Sequence, residues 1–187
     1  EKNIIKIYYE GDELKDNPDG PDTPTGGDDI PDKYQISLTY KVKNGAWDDE
    51  TTTDVLDIVT LYHKEGKYAE NGTGEATIPG VGSKPNDGYK AGKWDVTPEK
   101  EVNKDNDGDK YTYEYVKDEF KYSVEYYFDD VKDDTLTEKD KTAEFDSEVS
   151  RTPEKNMTHD NKKYVLVSED HTIKITSNPE KNIINKI

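Results

Sequence analysis

Residues 34–42 read Tyr34-Gln35-Ile36-Ser37-Leu38-Thr39-Tyr40-Lys41-Val42, with large apolar or aromatic side chains alternating with polar ones throughout. A period of two places every second side chain on one face of an extended chain, so a strand with one buried face is expected here. The alternation returns at Lys110-Tyr111-Thr112-Tyr113-Glu114-Tyr115-Val116 and at Tyr122-Ser123-Val124-Glu125-Tyr126-Tyr127-Phe128. Asn44-Gly45 after the first strand and Asp129-Asp130 after the last read as tight turns. Residues 54–63 form a more continuous apolar run, and residues 66–92 are dense in Gly, Pro and Asn, which allows short strands at best. The best helical stretch, residues 138–149, has only Ala143, Phe145 and Val149 to bury, so a short helix or an irregular crossover is expected there. The fold class is therefore mainly β, an α+β arrangement with very little helix.

Composition narrows the function. Leu, Ile, Val and Phe together number 33 of 187 residues, just under one-fifth, a level at which a highly charged chain often fails to fold. Fourteen Tyr and two Trp supply the missing apolar area, so small Tyr-rich β cores are expected. The net charge is −17, and Arg151 is the single Arg beside 25 Lys. Nucleic-acid recognition relies on basic stripes and the Arg fork, and neither is present. The charge repels anionic membrane surfaces and no long apolar run exists, so no membrane insertion is expected. Absence of Cys removes disulfides and thiolate metal sites.

The chain also repeats itself. It opens Glu1-Lys2-Asn3-Ile4-Ile5-Lys6-Ile7-Tyr8-Tyr9 and returns to Glu180-Lys181-Asn182-Ile183-Ile184-Asn185-Lys186-Ile187, an offset of 179 residues with one inserted Asn. This is the pattern of one period of a tandem array, whose length and avidity grow with copy number. Residues 1–9 then read as the terminal strand of a preceding repeat. Residues 10–32 hold nine acids, one Lys, four Pro and four Gly and read as an acidic linker. Flexible-chain statistics give it a span of about 25–30 Å. A first β-rich module covers 33–118. A second covers 119–187 and lacks the end of its last strand. Thr97-Pro98-Glu99-Lys100-Glu101-Val102 matches Thr176-Ser177-Asn178-Pro179-Glu180-Lys181-Asn182-Ile183, each following a strand and preceding a closing one, so the two modules read as divergent copies of one design. Residues 3–9 are expected to complete the second module of a neighbouring molecule or of their own.

The Tyr122-x-Val124-x-Tyr126 opening, Tyr164-x-Leu166 and the Asn3-to-Tyr9 closing string resemble the MucBP (mucin-binding protein) repeat of Gram-positive cell-wall-anchored adhesins. Asn44-Gly45-x-Trp47, Gly88-Tyr89 and Trp94-Asp95 resemble a companion module found beside such repeats. The resemblance implies two tandem β-grasp-like modules in an elongated arrangement, extracellular display on the cell wall, and a part in adhesion to mucus or host. It carries over no ligand residues, because the matching positions are strand and core positions.

Little in the sequence points to catalysis. His63, His159 and His171 are scattered without metal-ligand or catalytic spacing and read as surface imidazoles, and the abundant carboxylates define no pair. Asp105-Asn106-Asp107-Gly108-Asp109 reads as a hairpin turn, with a Ca²⁺ loop through Asp105, Asp107 and Asp109 as the alternative that its alternate-position oxygens permit. Trp47, Trp94 and Tyr113 are the candidates for glycan stacking, with core packing as the competing role. A Lys-Asn or Lys-Asp isopeptide crosslink in an apolar core is a further alternative. The expected protein is a non-enzymatic repeat of a surface adhesin. It acts either as a stalk that spaces a distal binding region, with neighbouring repeats as its partners, or as a weak binder of mucin or host glycans through avidity. No cofactor is expected beyond that Ca²⁺.

Overall fold

The computed structural model describes residues 30, 32–63, 66–167 and 171–184. The chain is mainly β. Its strands are β1 (Gln35–Lys43), β2 (Val55–Thr60), β3 (Gly74–Glu75), β4 (Tyr89–Trp94), β5 (Glu101–Val102), β6 (Lys110–Lys117), β7 (Glu119–Phe128), β8 (Val131–Glu144), β9 (Glu148–Ser150), β10 (Asn156–His159), β11 (Lys162–Val165), β12 (Thr172–Lys174) and β13 (Ile183–Ile184). The described helix is limited to single 3₁₀ turns at Asp32–Tyr34, Lys104–Asn106 and Pro179–Lys181. By contacts the chain divides into two compact units. One runs up to Lys43 and includes Trp47–Val81 and Lys93–Glu114; the other takes Asn44–Ala46, Gly82–Gly92 and the chain from Tyr115 onward.

A four-stranded sheet has the order β2-β1-β6-β4. β1 is antiparallel to β2 and parallel to β6, with Thr39 opposite Lys110 and Lys43 opposite Glu114. The alternation of β1 becomes its burial pattern: Ile36, Leu38 and Tyr40 are buried, as are Tyr111, Tyr113 and Tyr115 of β6. Aromatic rings fill the space that Leu and Val usually occupy. Tyr40 stacks on Tyr111 at 5.5 Å, and Trp94 meets both Tyr40 and Tyr113 edge-on. In the other unit the Tyr115 hydroxyl ties three backbone groups together, accepting from Gly82 N and Lys84 N and donating to the Ala46 carbonyl.

The second sheet repeats the plan with the order β13-β7-β8. β7 and β8 form an antiparallel hairpin through Asp129 and Asp130, whose φ angles of 48° and 65° are those of a tight left-handed turn. β13 lies parallel to β7, with Ile183 opposite Ser123 and Ile184 opposite Val124. Val124, Tyr126, Phe128 and Ile184 form the buried cluster, and Leu136, Val149, Met157, Tyr164 and Ile173 pack around it. Two short antiparallel pairs, the β10–β11 hairpin and β9 with β12, complete this unit. At Gly88, where φ is +85°, an added Cβ would lie 2.5 Å from the Phe145 ring, so both conformation and space require glycine.

Four local expectations are corrected. Residues 138–149 are the end of β8 and β9, not a helix or crossover, because cross-strand partners such as Phe120 opposite Ala143 set their conformation. Asn44 has φ 60°, but Asn44-Gly45 is not a two-residue hairpin: the chain continues to Val55 and wraps the buried Trp47, whose indole donates to the Thr53 carbonyl. Asp105 to Asp109 is no hairpin turn either, because β5 before it pairs with β3 while β6 after it pairs with β1; the segment instead carries the 3₁₀ turn capped by Asn103. The Thr97-to-Lys100 likeness is not structural. Pro179–Lys181 forms a 3₁₀ turn capped by Asn178, and its counterpart before β6 is Lys104–Asn106, capped in the same way.

Candidate functional site

Of the three aspartates of the proposed calcium loop, Asp105 is exposed and the other two spend their oxygens within the fold. Asp107 Oδ1 accepts from Ser37 N at 3.0 Å, and its Oδ2 lies 3.3 Å from Lys104 Nζ. Asp109 Oδ2 accepts from Asn106 Nδ2 and from the Tyr111 hydroxyl, each at 3.1 Å. Among the described residues, no group of three or more carboxylates, imidazoles or thiols is placed to hold a metal ion.

The three glycan-stacking candidates come together as packing. Trp47 is 1% exposed, Tyr113 is buried and Trp94 is half-buried, and Trp94 contacts both of the others. Trp47 and Tyr113 are therefore not available as sugar platforms, because a sugar must reach a ring face that here faces protein. The aromatic rings that do reach solvent were not singled out by sequence. Tyr62 and Tyr68 are 42% and 46% exposed, with ring centroids 5.5 Å apart, and Tyr34 stacks on Tyr68 at 6.0 Å. Tyr62 sits in isolated bridges with Tyr68 and Thr73, a pairing that no short-range pattern announces.

Two of the three histidines depart from the surface expectation. His63 is exposed, but His171 is half-buried, and the His159 ring stacks on Phe128 at 3.9 Å with 10° between planes. His159 Nε2 lies 3.3 Å from Asp133 Oδ2. The other oxygen of Asp133 accepts from Thr135 N, the Thr135 hydroxyl and Leu136 N. The Thr135 hydroxyl first, and then the Leu136 amide, hold the Asp133 carboxyl below its ordinary value. Glu138 is lowered too, mainly by its bond to Lys141 and then by Arg151, whose guanidinium lies 2.6 Å away. These partners anchor the β7–β8 hairpin. Asp133 and His159 also line a shallow cavity of about 500 Å³ together with Lys132, Thr135 and Tyr164.

A groove of about 290 Å³ lies at the far end of β7. Phe128, Met157, Tyr164 and Leu166 give it an apolar wall, and Asp129, Asp130 and Glu154 add carboxylates. Val165 and Val167 beside it are 68% and 94% exposed. The buried polar side chains among the described residues are Gln35 and Asn182, so no described lysine is buried as an isopeptide bond in an apolar core would require. Asn182 is satisfied by hydrogen bonds to Thr176 and Lys121. No described helix is long and apolar enough to cross a membrane. Compared with known proteins, the chain matches no family model, no curated protein and no solved structure.

Proposed function

We propose that the chain is a non-enzymatic repeat of an extracellular, cell-wall-anchored surface adhesin, in which two small β-grasp-like modules act as a stalk that spaces a distal binding region. The observation that carries this reading is the string Glu-Lys-Asn-Ile-Ile. It occurs at 1–5 and 180–184, and in its second occurrence it supplies the fully buried Asn182 and the strand that closes a module. A string with that structural task at one end of the sequence, present again at the other, is what a tandem array of such modules needs. The parallel closing strand found in both sheets supports a shared β-grasp-like plan. Small-angle scattering at low protein concentration tests it: an elongated particle is expected, and a single compact globule would refute the stalk.

A second reading, weak binding of mucin or host glycans through avidity, draws on the half-exposed Tyr62 and Tyr68. A glycan array probed with one repeat and with several separates the two. Binding by multiples that is lost in Tyr62→Ala favours the adhesive role, and no binding by either favours the spacer.

A further inference from the structure

We infer that the outer edge of β7, together with the groove at its end, is an acceptor for residues 3–9 of a second copy of this chain, laid parallel to β7 in the place of the closing strand. The inference rests on the repeat reading above, by which each second module is closed by the string that opens the following copy.

Register carries it. Ile184 lies beside Val124, and both are buried at 1% exposure, so this rung faces the core. Neighbouring parallel strands keep paired residues on the same face, and the faces alternate along the strand. With Asn3 in the position of Asn182, Ile4 falls beside Ser123 and Ile5 beside Val124, repeating Ile183 and Ile184. Further along, Ile7 falls beside Tyr126 and Tyr9 beside Phe128, the two remaining members of the buried cluster on β7. Lys6 and Tyr8 fall on the outer face beside Glu125 and Tyr127. Ile5, Ile7 and Tyr9 each meet a core residue, and Lys6 falls beside the Glu125 carboxylate, whose oxygens also hold Lys132 and the Tyr127 hydroxyl.

The string that follows Ile184 lacks this match. Carried on in the same register, Asn185 would stand beside Glu125, Lys186 beside the buried Tyr126 and Ile187 on the outer face. The inserted Asn shifts the phase by one, and a one-residue shift turns every later side chain to the wrong face. The first five residues of the two strings are identical, so exchange is neutral up to Ile5, and the gain lies in residues 6–9. The groove begins at Tyr127 and Phe128, three residues past the last described rung of β13, where this register brings Tyr8 and Tyr9. Replacement of one closing strand by an equivalent strand from a second copy is strand exchange, in which the incoming main chain takes over the ladder of the strand it displaces.

Zero-length carbodiimide coupling tests this on the full chain, mixed one to one as unlabelled and ¹⁵N-labelled protein. The expected product is a Lys6–Glu125 amide in peptides that pair a light with a heavy chain, with the Lys121–Asp140 amide inside one chain as the coupling control. Lys6–Glu125 amides confined to one isotope, or none while the control forms, overturn the inference. In sedimentation velocity, Ile7→Asp is expected to lose the concentration-dependent dimer and Ile187→Asp to keep it; equal behaviour of both overturns it too. An elongated scattering profile at low concentration would leave the stalk standing after either failure, so the two readings fail separately.

Discussion

Asn182 and Thr176 exchange three hydrogen bonds across six residues. Asn182 Oδ1 accepts from both the amide and the hydroxyl of Thr176 at 2.9 Å, and its Nδ2 donates to the Thr176 carbonyl at 2.8 Å. A fourth bond runs from Nδ2 to the Lys121 carbonyl on β7, so one fully buried amide fixes both the turn before β13 and the seat of that strand. Asn182→Asp keeps the acceptor and loses both donations, and it buries a charge. We expect Asn182→Asp and Asn182→Ala each to cost about 2–4 kcal/mol in urea unfolding, with Asp the worse at neutral pH.

Tyr40 presents the opposite case. Its hydroxyl is buried without a hydrogen-bond partner, and burial first, then the charge of Asp57, push its pKa up to about 12. Removing an unsatisfied buried hydroxyl while keeping the ring should be neutral or stabilising by about 1 kcal/mol. Tyr40→Phe, measured by chemical denaturation, is expected to unfold no earlier than the parent. A clear loss of stability would show that the hydroxyl has a partner in solution.

Acid should weaken the β7–β8 hairpin through Asp133. Its folded carboxyl sits below the ordinary Asp value of 3.8, so its contribution is complete above that value and is lost as pH falls through the lowered one. Neutralising the −17 of the whole chain acts in the other direction, so the useful quantity is a difference. The stability gap between the parent and Asp133→Asn should be widest near neutrality and close as pH drops below 3.8. A gap independent of pH would exclude this account.

Salt should stabilise the folded chain by screening its net charge. Because Asp107 and Asp109 are committed to Ser37, Lys104, Asn106 and Tyr111, Ca²⁺ should raise the melting temperature no more than Na⁺ of matched ionic strength. A larger shift with Ca²⁺ that Asp107→Asn removes would restore the calcium loop.

What the sequence made legible is what depends on near neighbours. Alternation placed Ile36, Leu38 and Tyr40 on the buried face of β1 and Val124, Tyr126 and Phe128 on that of β7, because burial on one face imposes a period of two. It did not place residues 138–149, since three scattered apolar residues fit a helix as well as a strand and the decision lies with distant partners, β7 for the end of β8 and β12 for β9. Trp47 illustrates the same limit from the side of function. A Trp after Asn-Gly reads as displayed on a loop, yet the loop folds inward around it and donates its indole N–H to Thr53. The exposed pair Tyr62 and Tyr68 is brought together by an isolated bridge, and no local pattern marks it.

The parallel closing strands determine how each sheet answers to tension. When a module is pulled from the start of its opening strand and the end of its closing strand, two parallel neighbours slide past one another, and the rungs between them bear the load together instead of opening one at a time. β1 and β6 share five such rungs, while β7 and β13 share two among the described residues. The β7 sheet is the one whose closing strand Lys6 to Tyr9 would extend in matching phase, so a strand that fits there would add rungs that share the load.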